Sequence, residues 1–176
     1  MRAYFFGNMY LSSIQQGIQA AHVVSEMFTQ YPDREEKDSS FLWEWAIHHK
    51  TMILLNGGYM ETMEELMNFF KTIKNPYPWS PFYEGHDSLG GILTSIGIVL
   101  PEKIYKAAAA IRSERPGVQF NRDGSYTLRY IIEEQGGFTS NPNDSIQMTI
   151  TEPTHFEVSK WEFELMNRLN EFRLAQ

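Results

Sequence analysis

A strand followed closely by a helix near the start of the chain is the feature that most constrains the fold. Residues 3–6 form a short apolar run, and Ser12 with Gln15 three positions later has the spacing of a capping box, which marks a helix start. Only a short loop separates the two elements. The chain is therefore expected to pass from a strand into a helix that packs on the sheet, as in α/β proteins.

Two stripes of side chains follow from helical periodicity after Ser12. The first predicts the buried face of an amphipathic helix, and its members are Ile14, Ile18, Ala21, Ser25 and Phe28. The second stripe consists of Gln15, Gln19 and His22, about 100° around the axis. Aligned hydrogen-bonding side chains beside a strand end suit a ligand site, although a polar helix edge has the same pattern.

Strand and helix signals alternate through the next hundred residues. Residues 41–47 predict a short apolar helix whose N-cap is Ser39 or Ser40. Residues 51–55 predict a buried strand that ends at the Asn-Gly-Gly turn over 56–58. This alternation favours helices packed on the faces of a sheet.

A further helix and strand follow. The capping-box spacing over 62–65 predicts a helix start, and the side chains expected to point inward are Met63, Leu66, Phe70 and Ile73. The proline-rich segment 75–81 cannot be helical. Residues 93–100 predict the clearest buried strand in the chain, and Pro101 begins a helix over 102–114.

The last sixty residues depart from this alternation. Residues 118–132 predict a β-hairpin around the turn 121–124, and 146–150 predict a further strand. A capping box over 154–157 predicts the start of a terminal helix. The apolar stripe of that helix consists of Val158, Trp161, Leu165, Leu169 and Phe172.

The fold expected from these signals is α/β, with two parts that pack together. Residues 1–117 form a core with a mixed, roughly four-stranded sheet flanked by helices. Residues 118–176 extend it with a β-hairpin and a C-terminal helix. A chain of 176 residues, 14% of them aromatic, is long enough to bury such a core.

The charge balance limits the partners of this chain. Its net charge is −7, whereas proteins that grip a polynucleotide backbone usually carry a basic surface. The one basic stretch, 93–117, carries its cations on the predicted helix. Lys103, Lys106 and Arg112 are the candidates there for a local contact with nucleic acid.

Several kinds of site and location are disfavoured by composition. The chain has no cysteine, which excludes disulfides, thiol nucleophiles and thiolate metal sites. His48 and His49 would point about 100° apart on a helix, so no metal site is predicted. A secretory signal pattern and an apolar run of membrane-spanning length are both absent, and we expect a cytoplasmic protein without membrane contact.

The loop over 82–88 holds the clearest candidates for acid–base chemistry. Glu84, His86 and Asp87 precede the predicted buried strand, near a sheet edge where ligands often bind. A carboxylate next to a histidine can act as a general base toward water or substrate. A solvated polar turn is the other interpretation.

The order of these elements resembles the type 2 peptidyl-tRNA hydrolase family over residues 2–112. The matching pieces are Gln19-Ala-Ala-His22, the strand 51–55 with the helix 63–70, and Leu93-Thr-Ser-Ile-Gly-Ile-Val-Leu-Pro101. The resemblance implies a mixed four-stranded sheet flanked by helices. It also implies hydrolysis of the ester that joins a peptide to tRNA, with no metal or organic cofactor.

By this resemblance, the site includes a lysine near the start of the first helix, an aspartate in an Asp-Ala-Gly-x-Thr segment and a nearby threonine. Gln15 stands at the lysine position, and Glu84-Gly-His-Asp87 is the nearest substitute for the aspartate segment. Thr94, in the matching strand, joins the candidate residues. Glutamine donates hydrogen bonds but lacks the charge that would stabilise a developing oxyanion.

Two functions from different classes follow. In the enzyme hypothesis, a residue of the 84–87 segment activates water, Gln15, Gln19 and His22 orient the ester, and the basic helix contacts the tRNA acceptor end. In the binding hypothesis, the chain has lost this chemistry, and its acidic, aromatic surface binds or inhibits a protein partner.

Overall fold

One strand of the main sheet is buried along its whole length. This strand, β4 (Leu93–Leu100), lies between β1 (Arg2–Gly7) and β3 (Trp79–Tyr83), and β2 (Met52–Asn56) pairs with the far side of β1. β1 and β2 are parallel, while β4 is antiparallel to both of its neighbours. The computed structural model describes residues 1–36, 39–112, 117–130 and 154–175. The prediction of a buried strand over 93–100 is confirmed.

Helices cover both faces of this sheet. On one face, Ala3, Phe5 and Val99 pack against α1 (Ser13–Gln30). On the other face, an apolar cluster joins the sheet to three helices, which are α3 (Met60–Phe70), α5 (Glu102–Arg112) and α6 (Lys160–Glu171). The predicted α/β fold, with a four-stranded mixed sheet flanked by helices, is therefore confirmed.

The short helix predicted over 41–47 is present in two parts. It begins as α2 (Ser40–Glu44) and continues as one turn of π-helix, Trp45–His49. Ser39 holds the N-cap position, but its hydroxyl donates to carbonyl oxygens of the preceding turn instead of capping the helix. The Trp45 indole N–H donates to the Thr51 carbonyl oxygen at 2.9 Å, which ties this helix to the entry of β2.

α1 turns a different face toward the sheet from the one that its periodicity predicts. Its buried residues are Gln16, Gln19, Ala20, Val23 and Met27. Ile14 and Ile18 are instead 78% and 52% exposed, and Ala21 and Ser25 are exposed as well. The predicted stripe is wrong because this helix carries two apolar stripes. The stripe that contains Val23 and Met27 packs on the sheet, and the other faces solvent.

Gly97 in β4 explains this choice of helix face. A Cβ atom at Gly97 would lie 2.7 Å from Val23 Cγ1 and 2.9 Å from both Met27 Cε and Phe5 Cδ1. These distances are shorter than carbon atoms tolerate, so the close approach of α1 requires a residue without a side chain. The missing side chain at Gly97 thus leaves the space into which Val23 and Met27 pack.

The two edge strands differ from the sequence-based expectation. β2 was expected to be buried, but only Leu55 is buried, and the far edge of this strand is bridged by Leu174. β3 was not predicted, because Pro81 lies within it. Proline is tolerated in an edge strand, where its missing N–H costs no ladder hydrogen bond.

The helix predicted from 62–65 is present, but it begins earlier. α3 starts at Met60, and its N-cap residue Tyr59 makes no side-chain cap bond, so the predicted capping box is wrong. Met63, Leu66 and Phe70 are buried as predicted. Ile73 lies beyond the end of the helix and is fully exposed, because the helical periodicity no longer applies there.

A second sheet has three antiparallel strands, in the order β5 (Gly117–Phe120), β6 (Tyr126–Tyr130) and β7 (Thr154–Val158). The predicted hairpin is confirmed for β5 and β6, and Gly124 has the positive φ of 85° that its turn requires. The strand predicted over 146–150 lies outside the described residues, as do 113–114 of the helix predicted over 102–114.

The terminal helix begins later than predicted. The capping box expected over 154–157 is wrong, because these residues belong to β7. The cap is Ser159, whose Oγ accepts from the Glu162 N–H, while the Glu162 carboxylate accepts from the Ser159 N–H at 2.8 Å. Trp161, Leu165 and Leu169 then face the main core as predicted.

Glu162 also ties α6 to the rest of the core. Its Oε1 accepts from the Tyr77 hydroxyl at 2.5 Å and lies 3.4 Å from Lys103 Nζ. Burial by itself would raise the pKa of Glu162, but the hydrogen bonds from Tyr77 and Ser159 and the charge of Lys103 outweigh it and lower that pKa. Burial, followed by the bond to Glu162 and its charge, raises the pKa of Tyr77 well above its usual range.

Replacing Gly97 with alanine should destabilise the protein by about 1–3 kcal/mol, because the new methyl group overlaps Val23, Met27 and Phe5. Urea unfolding measures the change. Gly17→Ala is the matched control, since a Cβ atom there meets nothing within 4 Å. It should stabilise α1 by about 0.5–1 kcal/mol. Equal effects of the two substitutions would contradict the close packing at Gly97.

Stability should also fall with acidity through Glu162. A carboxyl whose pKa is lowered by folding stabilises the protein above its unfolded pKa, and this stability is lost as pH falls through the folded value. The urea midpoint should therefore decline from about pH 4.5 downward, and this decline should be shallower in Glu162→Gln. Glu164→Gln, at an exposed position, should keep the wild-type slope. Identical slopes in wild type and Glu162→Gln would refute the role of Glu162.

Candidate functional site

An irregularity in the sheet re-aims Thr94, at the start of β4. Phe82 of β3 pairs with Ser95, but the next residue, Tyr83, pairs with Leu93, so Thr94 is the extra residue of a β-bulge. Regular alternation would place Thr94 on the same face as Ile96, toward α3. The bulge turns its side chain toward α1 instead, and bulges commonly re-aim a side chain near a functional site.

Thr94 and Gln19 form a buried polar contact between the sheet and α1. The Thr94 hydroxyl lies 3.3 Å from Gln19 Oε1 and 3.3 Å from the Phe82 carbonyl oxygen, and its single proton can be donated to either acceptor. Thr94 is 1% exposed and Gln19 is 7% exposed. No hydrogen bond from Gln19 Nε2 is found among the described residues, so this amide retains donor capacity at the site.

His22 borders this contact through Phe82, and Glu84 follows Phe82 by two residues in the chain. The His22 ring is exposed and stacks on Phe82, with ring centroids 4.6 Å apart and planes 15° from parallel. Glu84 is half-buried, and its N–H donates to the Ile92 carbonyl oxygen at 3.0 Å. In the part of the chain that the structure describes, no hydrogen bond, ion pair or ring contact joins the Glu84 side chain to Gln19, His22 or Thr94. The structure thus brings Gln19 and Thr94 together, with His22 linked to them through Phe82.

Gln15 contributes to the helix cap, as the Ser12 spacing predicts. Its Oε1 accepts from both the N–H and the hydroxyl of Ser12, each at 2.9 Å, and the side chain is exposed. The three residues of the predicted polar stripe therefore lie in different environments. Gln19 is buried against the sheet, whereas Gln15 and His22 face solvent.

His86 and Asp87 belong to a separate short helix, α4 (His86–Leu89), and both are exposed. The His86 ring rests against Gly91, where a Cβ atom would lie 2.9 Å from its Cε1. In the described ranges, no hydrogen bond, ion pair or ring contact joins either residue to Gln19, His22 or Thr94. Of the three candidates in this loop, Glu84 is the nearest in the chain to Phe82, whose carbonyl oxygen and ring contact Thr94 and His22.

The basic helix starts at the opposite end of the sheet. α5 follows Leu100, which pairs with Arg2 at the start of β1, whereas the candidate site lies beyond Gly7 at the end of β1. Lys103 is paired with Glu162, and Lys106 with Glu102. The side chain of Arg112 is not among those that the structure describes. Because antiparallel β4 carries the chain away from the site, Lys103 and Lys106 lie toward the opposite end of the sheet. Their contact with the tRNA acceptor end stays a prediction.

Two buried polar residues of the site were missed from the sequence. Asn8 follows β1, is 1% exposed, and donates from Nδ2 to the Leu93 carbonyl oxygen at 3.2 Å. Gln16 donates from Nε2 to the Leu11 carbonyl oxygen at 3.0 Å, while its Oε1 is buried and has no hydrogen-bond partner within the described part of the chain. Asn8 could have been identified as a site residue from the sequence, because it is polar and directly follows a predicted strand. The role of Gln16 depends on the helix rotation, which the sequence did not reveal.

The residues brought together can bind and polarise a carbonyl group. The site offers amide and hydroxyl donors from Gln19 and Thr94, an accessible imidazole and a half-buried carboxylate. Within 1–36, 39–112, 117–130 and 154–175, no group of three or more His, Asp or Glu side chains is arranged to hold a metal ion. The same ranges contain no helix that is both long and apolar enough to cross a bilayer.

An exposed apolar surface borders the site. Its members, here called the apolar patch, are Met9, Tyr10, Ile14, Ile18 and Tyr59. The Tyr10 and Tyr59 rings lie 5.0 Å apart, and the Met9 N–H donates to the Gly58 carbonyl oxygen at 2.9 Å, which joins the two loops. Residues 13–25 contain no Asp, Glu, Lys or Arg. The part of α1 that carries Ile14 and Ile18 therefore has no Asp, Glu, Lys or Arg, and the exposed Glu26 lies further along the helix.

No protein-family model matches the sequence, and no curated protein is significantly similar to it.

Proposed function

We propose that the site at the end of β1 binds and hydrolyses a carboxylic ester, with peptidyl-tRNA as the substrate class. The observation that carries this proposal is the bulge at Thr94, which turns its hydroxyl onto Gln19 of the Gln-x-x-His helix. The four-stranded mixed sheet flanked by helices also agrees with the fold that the family resemblance implies.

The residues divide into donors and a base. Gln19 Nε2 donates to the ester carbonyl oxygen, and Thr94 keeps the Gln19 amide in place through its hydroxyl. Glu84 takes a proton from the attacking water, and His22, stacked on Phe82, donates to the leaving oxygen or positions the ester. Without a lysine in the site, the developing oxyanion is stabilised by neutral donors alone, so slow turnover is expected.

The test is release of free tRNA from a labelled peptidyl-tRNA by the full chain. His22→Ala and Glu84→Gln should each reduce the rate about 10²-fold or more, as expected for loss of an acid–base group. Thr94→Val should also reduce it, while Thr94→Ser retains most activity because the hydroxyl remains. Matched controls are His48→Ala and Glu64→Gln, at exposed positions outside the site, which should keep the wild-type rate.

Two results would overturn the hydrolase proposal. One is no turnover by the wild-type chain under conditions where a lysine-containing member of the family is active. The other is turnover that survives both Glu84→Gln and His22→Ala.

The apolar patch favours a second candidate function, that of a protein-binding module. Large apolar side chains that remain exposed together typically mark an interaction surface. Because the patch is uncharged on a chain of net charge −7, it is the place where a second copy can approach without repulsion between carboxylates. We therefore take a second copy of this chain as the partner.

Sedimentation analysis over a range of concentrations tests this second candidate. The wild-type chain should self-associate, and the Ile14→Glu, Ile18→Glu double variant should be monomeric, because each carboxylate would have to be buried in the contact. Ile73→Glu is the matched control at a fully exposed isoleucine outside the patch, and it should associate like wild type. A monomeric wild type, or equal association of all three proteins, would refute the self-association.

A further inference from the structure

The bulge at Thr94 takes one carbonyl group of β4 away from its partner on β3. Continuation of the register that precedes the bulge would pair Glu84 with Leu93, and the Glu84 N–H would donate to the Leu93 carbonyl oxygen. That N–H donates instead to the Ile92 carbonyl oxygen at 3.0 Å, one residue earlier in the chain. The Leu93 carbonyl group therefore needs a hydrogen-bond donor from outside β3.

Asn8, which directly follows β1, supplies this donor. Its Nδ2 donates to the Leu93 carbonyl oxygen at 3.2 Å, and its backbone N–H donates to the Thr94 carbonyl oxygen at 3.0 Å. The peptide groups on the two sides of the Thr94 Cα atom are thus both bound by Asn8. Because the orientations of these groups define the backbone dihedrals of Thr94, Asn8 also sets the direction in which the Thr94 side chain leaves the strand.

The side chain of Asn8 has to donate and accept at the same time. Its Oδ1 accepts from the Tyr10 N–H at 3.1 Å while its Nδ2 donates to the Leu93 carbonyl oxygen. Asn8 is 1% exposed, so both bonds are made within the protein. A carboxamide satisfies both partners, whereas an aspartate of the same shape would keep the bond from Tyr10 and turn a second acceptor toward Leu93.

The loop that carries Asn8 is itself held in place. The Met9 N–H donates to the Gly58 carbonyl oxygen at 2.9 Å, and the Leu11 N–H donates to the Asn8 carbonyl oxygen at 3.1 Å. From α1, Gln16 Nε2 donates to the Leu11 carbonyl oxygen at 3.0 Å. The Asn8 side chain therefore meets β4 from a fixed position.

We propose that Asn8 is a positioning residue of the ester site, a role that rests on the proposed function. Asn8 stabilises the bulge in β4 and thereby holds the Thr94 hydroxyl against Gln19, whose amide binds the ester carbonyl group. Without the Nδ2 donor, the Leu93 carbonyl group would lose its bond, and regular pairing with β3 would restore one. Regular pairing turns the Thr94 side chain to the opposite face of the sheet, away from Gln19.

Asn75 provides a matched control for substitutions at Asn8. Its Nδ2 donates to the Phe70 carbonyl oxygen at 3.0 Å, and its Oδ1 accepts from the Tyr77 N–H at 3.0 Å, so it makes the same two kinds of bond as Asn8. Asn75 precedes the start of β3, whereas the bulge lies at the end of that strand. Substitution of Asn75 should therefore cost similar hydrogen bonds without moving the Thr94 side chain.

Nuclear magnetic resonance of the full chain tests the role of Asn8 without substrate. In the wild type, a nuclear Overhauser effect should join the Thr94 and Gln19 side chains, and the Asn8 side-chain amide protons should exchange slowly with solvent. Asn8→Ala and Asn8→Asp should each abolish the Overhauser effect, whereas Asn75→Ala and Asn75→Asp should preserve it. Rapid exchange of the wild-type amide protons would overturn the proposal even if the Asn8 variants fail to fold. An Overhauser effect that survives in both Asn8 variants would overturn it too.

The kinetic measurement is release of free tRNA from peptidyl-tRNA. Both Asn8 variants should lower kcat about 10²-fold and change KM less than about threefold, because the ester still binds while its carbonyl group is poorly aligned. The Asn75 variants should keep the wild-type kcat. A wild-type kcat in Asn8→Asp, or an equal loss in Asn75→Asp, would refute the positioning role. Absence of turnover by the wild type would instead refute the proposed function, and the resonance measurements would then decide whether Asn8 positions Thr94.

Discussion

Burial of β4 on both faces is the constraint on which the rest of the structure depends. Because all of Leu93–Leu100 is covered, helices must lie on both sides of the sheet, and a slip of one residue would exchange the two faces. On one side Gly97 sets how closely α1 approaches. On the other, Ile96 and Ile98 join the cluster that includes α3 and α6, so the C-terminal extension and the main sheet share one core.

The candidate site lies where this regularity ends. The bulge at Thr94 breaks the alternation of β4, and the rotation of α1 that suits Gly97 also directs Gln16 and Gln19 toward the same end of the sheet. Gln16 Oε1 and Ser95 Oγ are buried there and have no hydrogen-bond partner among the residues that the structure describes. A buried polar atom left unpaired typically costs about 1–3 kcal/mol. Such costs are tolerated chiefly at functional sites, which supports a binding role for this end of the sheet.

The charges of α5 lie apart from the candidate ester site. The ester site has neutral donors and a carboxylate, and the lysines of α5 start at the other end of β4, where Lys103 is engaged by Glu162.

The sequence by itself determined the α/β class, the buried strand over 93–100, the Ser12–Gln15 cap and the hairpin of β5 and β6, because each depends on local periodicity or turn chemistry. It also named Gln19, His22, Glu84 and Thr94 as candidates. Only the tertiary structure decided which face of α1 is buried, that Thr94 and Gln19 touch, and that Lys103 lies far from them. The two faces of α1 were nearly equivalent in periodicity. Which face is buried was decided by packing against Gly97, a residue 70 positions from Met27 in the chain.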